Sequence, residues 1–352
     1  MNSKNNTLVI LTPGFPKNEA DSTCLPAVQN FVNVINTQFP LVRIVVLAFD
    51  YPYVSATWQW NRNTVTGFNG FKKRKFKKIF KWISIWRKLN ELKRKNNVIG
   101  LLSFWCGECA YIGNRYAKIN RLKHYCWIMG QDAKKENSYV NRIKPSAGEL
   151  IAMSDFLADE FFSNHAIRPA LVIPNGIDPR AFNKTNTERD IDILGVGSLI
   201  PLKQYEVFIS IIKEIQKYLP NIKVVLCGKG PEEETLKDLI NEHELSDNIS
   251  MVGELEHGKA LRLMQHSKIL LHPSAYEGFS TVCLEALYAG AHVISFCRAM
   301  KANIDHWYIV NSKEEMKEKI LELLQNPGTA YISVSLFPMD DTAKKMMELF
   351  SA

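Results

Sequence analysis

The sequence predicts an α/β protein built from two doubly wound sheets. Three observations carry that expectation. Short apolar runs alternate with longer helical patterns along the chain. The runs show little polar alternation, as expected of parallel strands covered on both faces. The chain has 352 residues, 46% of them hydrophobic, which exceeds one ordinary core and suffices for two. Repeated strand–helix–strand order then gives doubly wound sheets.

In chain order, "TLVILTPG", "VRIVVLAF", "VIGLLSF", "KHYCWIMG", "ELIAMS" and "ALVIPNG" read as strands of a first half. "IDILGVGSL", "IKVVLCGKG", "NISMVGEL", "KILLHPS" and "HVISF" read as strands of a second half. Each is a short apolar run, and most end in Gly, Pro or Ser. Helices lie between them, for example "YEVFISIIKEIQKYL" and "PEEETLKDLINEHEL". "NGIDPRAFNKTNTERD" (175–190) is rich in turn formers and is the expected linker. In such folds ligands sit beyond the carboxyl ends of the strands. With two such domains, the expected site is the cleft between them.

Bulk properties narrow the function. The cysteines number seven, scattered along a chain whose start, "MNSKNNTLVILTPGF", reads straight into a strand. This predicts a cytoplasmic protein with reduced thiols. No apolar stretch reaches the ~20 residues needed to span a bilayer. The net charge of +8 points to an anionic partner.

The stretch "HPSAYEGFSTVCLEALYAGAHVISF" (272–296) carries most of the chemistry. A strand ends near Pro273, a loop holds Glu277, Gly278, Phe279 and Ser280, and a helix follows with Ser280 as N-cap and Gly290 near its end. The helix start offers free N–H groups and a positive dipole end, a seat for a diphosphate. Glu277 precedes that seat and Glu285 sits within the helix. Two acceptor-only carboxylates at different depths suit two sets of sugar hydroxyls. The alternative is that both are surface charges.

"YEGFSTVCLEALYAG" resembles the signature of the retaining glycosyltransferases of family 4, with seven residues between its two glutamates. "VIPNGID", "ILGVGSLIPLKQYEVFI", "VVLCGKGPEEETLKDLI", "SDFLADEFFSNHAI" and "MDDTAKKMMELFSA" resemble further ordered segments of that family. The resemblance implies the GT-B fold: two Rossmann-like domains facing a central cleft, with the C-terminal helix crossing back to the first. It implies an acceptor-binding domain over 1–177 plus 338–352, and a nucleotide-sugar-binding domain over 178–337. By position, Glu277 would contact hydroxyls of the donor sugar, Glu285 the ribose, and Lys203 the diphosphate. The family's usual Arg before that Lys is Ser198 here. Gly228 and Gly230 would let backbone approach the nucleotide, and Phe279, Ser280 and Thr281 would offer N–H groups to phosphate. In the first domain, "TPGFPKNEADST" matches the family's mobile loop with one glycine, Gly14, in place of two. "IMGQDAKKEN" carries Met129 where the family often has His. Gly130 and Asp132 remain, and Asp132 is either an acceptor-hydroxyl contact or a helix N-cap. The implied reaction is sugar transfer with retention from a nucleotide-sugar to a glycan or lipid-linked acceptor in bacterial surface polysaccharide assembly. No metal or cofactor is expected.

"SFWCGECAYIG" (103–113) also has the look of a redox Cys-x-x-Cys site at Cys106 and Cys109. Gly107-Glu108 between the cysteines, in so long a chain, favours reading Ser103, Trp105 and Glu108 as acceptor-pocket or helix-start residues. "FKKRKFKKIFKWISIWRKLNELKRK" (71–95) holds most of the excess charge. At helical spacing Ile79, Trp82, Ile83, Trp86 and Leu89 form one stripe, with Lys77, Lys81, Ser84, Lys88, Glu91 and Lys95 opposite. This predicts peripheral contact with an anionic membrane surface; ordinary packing on the sheet is the alternative. The charge forms one compact run, so nucleic acid is not expected. A non-transferring enzyme such as an epimerase, and a nucleotide-sugar-binding scaffold, are the rival functions.

Overall fold

A computed structural model of the chain describes residues 5–70, 75–183 and 188–351, those of 75–77 as backbone. The chain divides into two compact units, Met1–Gly176 with Met339–Ala352, and Ile177–Pro338.

The first unit runs β1 (Asn6–Gly14), α1 (Pro26–Gln38), β2 (Arg43–Tyr51), β3 (Ser55–Trp60), β4 (Asn63–Phe68), α2 (Lys75–Lys95), β5 (Asn97–Phe104), α3 (Glu108–Asn120), β6 (His124–Ile128), α4 (Ser138–Ile143), β7 (Leu150–Ala152), α5 (Asp155–His165) and β8 (Leu171–Val172). Its sheet has the order β3-β4-β2-β1-β5-β6-β7-β8. β1 lies inside, with Leu8, Val9, Ile10 and Leu11 fully buried, which is why its sequence is a continuous apolar run. The β3–β4 hairpin is antiparallel, with Trp60 opposite Asn63, and was not legible in the sequence. β3 is an edge strand whose residues are mostly exposed, so it carries no apolar run. Asn61 turns the hairpin at φ 49°, in the left-handed region that Asn tolerates.

The second unit runs β9 (Ile191–Val196), α6 (Tyr205–Gln216), β10 (Val224–Cys227), α7 (Glu233–Glu242), β11 (Ile249–Gly253), α8 (His257–His266), β12 (Ser267–His272), α9 (Thr281–Tyr288), β13 (His292–Ser295), β14 (Trp307–Ile309) and α10 (Lys313–Gln325). All its strand pairs are parallel, in the order β11-β10-β9-β12-β13-β14. β14 falls in the 297–312 stretch, which has no strand signal of its own. Trp307 Nε1 donates to Ser295 Oγ at 2.8 Å, tying it to β13.

The last helix, α11 (Met339–Glu348), belongs to the first unit. Met339, Ala343, Met346 and Met347 are buried, and α11 packs on α1. Thr342 Oγ1 donates to Pro174 O at 2.9 Å, and Phe350 meets Tyr125 edge-on at 5.2 Å. A Cβ on Gly100 would come within 2.4 Å of the Phe350 ring, so glycine there is what admits the C-terminus.

α2 corrects the expected stripe. Its buried positions are Lys81, Ile85, Leu89 and Leu92, with Trp82 and Trp86 packed half-buried beside them. Ile79, Phe80 and Ile83 are exposed, at 53%, 70% and 42%. The row 81, 85, 89, 92 follows the i, i+4, i+3 spacing of one helix face. The expected stripe straddled that face and the next. Lys81, expected on the solvent side, is the buried one, held at 3.0 Å by both Asp50 and Glu108. Lys77 lies outside the described side chains.

Candidate functional site

The second sheet reverses its winding between β9 and β12. They are neighbours, with Ile193 opposite Ile269 and Leu194 opposite Leu270. Ligands of doubly wound sheets sit at such a switch point, beyond the strand carboxyl ends. The loops leaving these two strands therefore form the candidate site, and both are held by hydrogen bonds. After β9, Gly197 N donates to Cys227 O and Leu199 N to Lys229 O, each at 3.0 Å. A short 3-10 turn at Pro201–Lys203 follows. After β12, Ala275 N donates to Leu202 O at 2.9 Å, and Ser274 Oγ to the same oxygen at 3.2 Å.

This seam brings Lys203 onto Glu277. The Lys203 ammonium hydrogen-bonds Glu277 Oε1 directly, and the two side chains are only 19% and 14% exposed. His272 Nε2 lies 2.9 Å from the same Oε1. Burial works to raise the Glu277 pKa, but His272 and Lys203 outweigh it and hold the carboxyl at about 2. It is ionised at any physiological pH.

Phe279 is buried and packs edge-on against Phe337 at 5.7 Å. Gly278 precedes it in the loop, and Thr281 opens α9. Ser280 occupies the N-cap position, but its side chain makes no capping bond. Its Oγ turns instead to His272 Nε2 at 3.4 Å. The expected side-chain cap is thus corrected: the Oγ faces the buried imidazole rather than the N–H groups of the first turn. Glu285 is 8% exposed and its Oε1 lies 2.7 Å from His257 Nε2. Burial lowers the His257 pKa and Glu285 raises it; the net shift is upward.

Ser198 is exposed beside this seam. Gly228 and Gly230 also have a structural reason within the loops themselves. A Cβ on Gly228 would fall 1.8 Å from Gly197 O, and one on Gly230 would fall 2.2 Å from Leu199 O. Their lack of side chains is what lets the two loops close on each other.

The candidate residues of the first unit gather partly. Gly14 ends β1, and Trp58 Nε1 donates to Pro16 O at 3.1 Å in the loop that follows. Trp105, after β5, takes φ 63°, and its N donates to Trp127 O at 3.0 Å. Asp132 accepts from Cys106 N and Gly130 N, each at 2.7 Å, and from Met129 N at 3.1 Å. Burial raises its pKa against the pull of these N–H groups. Asp132 therefore ties the loops after β5 and β6. The N-cap of the short turn that contains it is Gly130, so Asp132 is not a helix cap.

Glu108 is engaged by α2. Its carboxylate accepts from Trp82 Nε1 and from Lys81 Nζ, which fixes α2 on α3. Ser103 is buried against His124, Oγ to Nε2 at 2.9 Å. The redox alternative fails on the same ground of burial. Cys106 and Cys109 are free and buried, and burial pushes the Cys109 thiol well above its usual pKa. A reactive dithiol needs the opposite: exposure and a lowered pKa.

Residues 178–332 match the sequence model of the family described as glycosyl transferases group 1. That match falls within the second unit. Similar curated proteins include a phosphatidylinositol N-acetylglucosaminyltransferase component from Arabidopsis thaliana, 28% identical over 42% of this chain and 34% of that protein. The gpi3 component of the same transferase from Schizosaccharomyces pombe is 31% identical over 35% and 28%. A 2-deoxystreptamine N-acetyl-D-glucosaminyltransferase from Niallia circulans is 26% identical over 46% and 39%. The chain thus spans only about a third of the length of the curated relatives it matches.

Solved structures match almost end to end. Sucrose-phosphate synthase from Thermosynechococcus elongatus aligns at TM-score 0.72 and 14% identity, over 98% of both chains. Anabaena Alr3699/HepE in complex with UDP-glucose aligns at 0.72 and 15%, over 97% and 98%. The fold is therefore GT-B, as the sequence implied. Sequence reasoning missed two histidines that touch the domain's paired glutamates, His272 and His257. The usable signal was position: His272 ends a strand five residues before Glu277, and His257 opens a helix.

Proposed function

We propose that the chain is a retaining glycosyltransferase. It moves a sugar from a nucleotide-sugar donor to a glycan or lipid-linked acceptor, in bacterial surface polysaccharide assembly. The observation that carries this reading is the contact of Lys203, Glu277 and His272 at the switch point, ahead of the α9 N-terminus. An ammonium and a set of helix N–H groups suit a diphosphate, and an ionised carboxylate beside them suits the hydroxyls of its sugar. Relatives named as N-acetylglucosaminyltransferases and similar structures holding UDP or UDP-glucose support a uridine diphosphate donor.

In the proposed reaction the bond from the anomeric carbon to the β-phosphate oxygen breaks. The acceptor oxygen bonds that carbon on the same face, and the departing phosphate takes the acceptor proton. Lys203 and the α9 N-terminus stabilise the charge that builds on the leaving group. Glu285 holds the ribose and Asp132 orders the acceptor side. No metal is needed in this scheme.

UDP is expected to raise the melting temperature of the full chain in proportion to occupancy, by RT ln(1 + [L]/Kd). UDP-glucose or UDP-N-acetylglucosamine is expected to release UDP slowly on long incubation. A chain that no nucleoside diphosphate stabilises contradicts the reading. Epimerised free nucleotide-sugar without acceptor points to the epimerase instead.

The proposed location is cytoplasmic, at the inner face of a membrane. Among the described residues no helix is long and apolar enough to cross one. Ile79, Phe80 and Ile83 expose apolar side chains on α2, beside the basic run 72–78. Interfacial helices combine these two features. The double variant Phe80→Asp with Ile83→Asp is expected to lower binding to phosphatidylglycerol vesicles at least about 10-fold, since each lost side chain forfeits ~1.5–3 kcal/mol of burial. Equal flotation of wild type and variant contradicts membrane contact through this face.

A further inference from the structure

We propose that His272 is a positioning residue that fixes the Glu277 carboxylate for work on the donor sugar; this rests on the donor-site reading above. The need for such a residue follows from where Glu277 sits. It lies in the irregular loop between β12 and α9, so its backbone does not fix its side chain. His272, in contrast, is the last residue of a central strand, in register with Ser295 of β13. Its side chain is 4% exposed. The sheet therefore sets the ring, and the ring can set the carboxylate.

The bonding divides the two carboxylate oxygens. Oε1 takes both the Lys203 ammonium and His272 Nε2. A carboxylate is an acceptor only, so Nε2 is the donor in that contact. Ser280 Oγ, at 3.4 Å, is its longer second neighbour. Neither contact uses Oε2, and this is the oxygen the proposal offers to a sugar hydroxyl.

Lys203 cannot hold Glu277 through the reaction. A donor diphosphate carries more charge than one carboxylate and competes for the same ammonium. When Lys203 turns to phosphate, Glu277 loses its cation inside a mostly buried pocket. His272 is then the contact that keeps Oε1 in place, without a rotation of the carboxylate at the moment of bond breaking. Preorganised contacts of this kind gain their effect by needing no rearrangement.

The test compares His272→Leu with His272→Gln in the full chain. Gln carries an amide N–H that reaches toward Oε1; Leu fills the space and donates nothing. Four quantities are measured for each: kcat and KM for UDP release from UDP-glucose and UDP-N-acetylglucosamine, UDP affinity by calorimetry, and melting temperature. His272→Leu is expected to lose about 100-fold in kcat, the size seen when one preorganised donor is removed. Its donor KM and UDP affinity stay within about 3-fold of wild type. His272→Gln recovers most of the lost kcat.

If both variants lose activity equally and melt early, His272 is only structural and the proposal is overturned. If His272→Leu turns over like wild type, it is overturned as well, with the donor site intact. A wild type that neither binds UDP nor releases it overturns the donor-site reading, and the positioning role with it.

Discussion

Replacing Glu277 by Ala is expected to remove sugar transfer while UDP affinity stays within about 3-fold of wild type. In the proposed site the carboxylate meets the sugar, not the phosphates, so its loss falls on the reacting centre. Removal of one interaction of this kind costs roughly 10²–10³ in kcat. The structure adds a second effect. Lys203 is bound to Glu277 in the resting chain, so the variant frees the ammonium for phosphate. UDP is thus expected to bind Glu277→Ala no more weakly than wild type. His272 and Lys203 are left facing an empty position, which costs about 1–3 kcal/mol in stability. Glu277→Gln separates the two consequences. Its amide oxygen still accepts from His272, so it is expected to melt near wild type and still fail in transfer. Transfer by Glu277→Gln at the wild-type rate would remove the carboxylate from the mechanism.

Replacing Lys203 by Ala is expected to strike binding itself. A charged hydrogen bond to phosphate contributes ~1.5–3 kcal/mol, which corresponds to roughly 10- to 100-fold weaker UDP binding. The position expected for the family's second cation is Ser198, which carries no charge, so no neighbour there takes over the work. Three controls sharpen the expectation. Uridine, which lacks phosphate, should bind wild type and variant alike. Added salt should weaken UDP binding to wild type more than to the variant, because only wild type retains the screened attraction. Lys203→Arg should keep part of the affinity, since the charge remains while the geometry changes. Calorimetry with UDP and uridine reads all three. Equal UDP affinity in wild type and Lys203→Ala would place the diphosphate elsewhere.

The parts of this architecture that were legible in the sequence are those written in local patterns. β1, β5, β9 and β12 are buried on both faces, and continuous apolar runs such as "TLVIL" and "KILL" say so directly. Glu277 and Glu285 were marked by the loop–helix they bracket, and Lys203 by the resemblance of its segment to the family. What was not legible depends on distant partners. β3 is a largely exposed edge strand that alternates polar and apolar residues, and β14 is three residues long; neither forms a continuous apolar run long enough to announce itself. The phase of α2 turned on Lys81, whose burial depends on Asp50 and Glu108 lying across from it. A structural reason for Gly228 and Gly230 lay in the backbone of Gly197 and Leu199, across from their own loop. Ser280 reads as a cap because only a fold can place His272 within its reach. His272 and His257 were marked only by position, at a strand end and a helix start; which glutamate each would meet depends on the fold.

On this reading, Lys203 leaves Glu277 to hold a departing diphosphate at the β9/β12 switch point. A crystal structure of the full chain soaked with UDP tests it most directly. The expected result is the Lys203 ammonium within ~3 Å of a β-phosphate oxygen, the phosphates facing the α9 N-terminus, and Glu277 still held by His272. UDP bound with Lys203 still closed on Glu277, or seated away from the loops that follow β9 and β12, would contradict it.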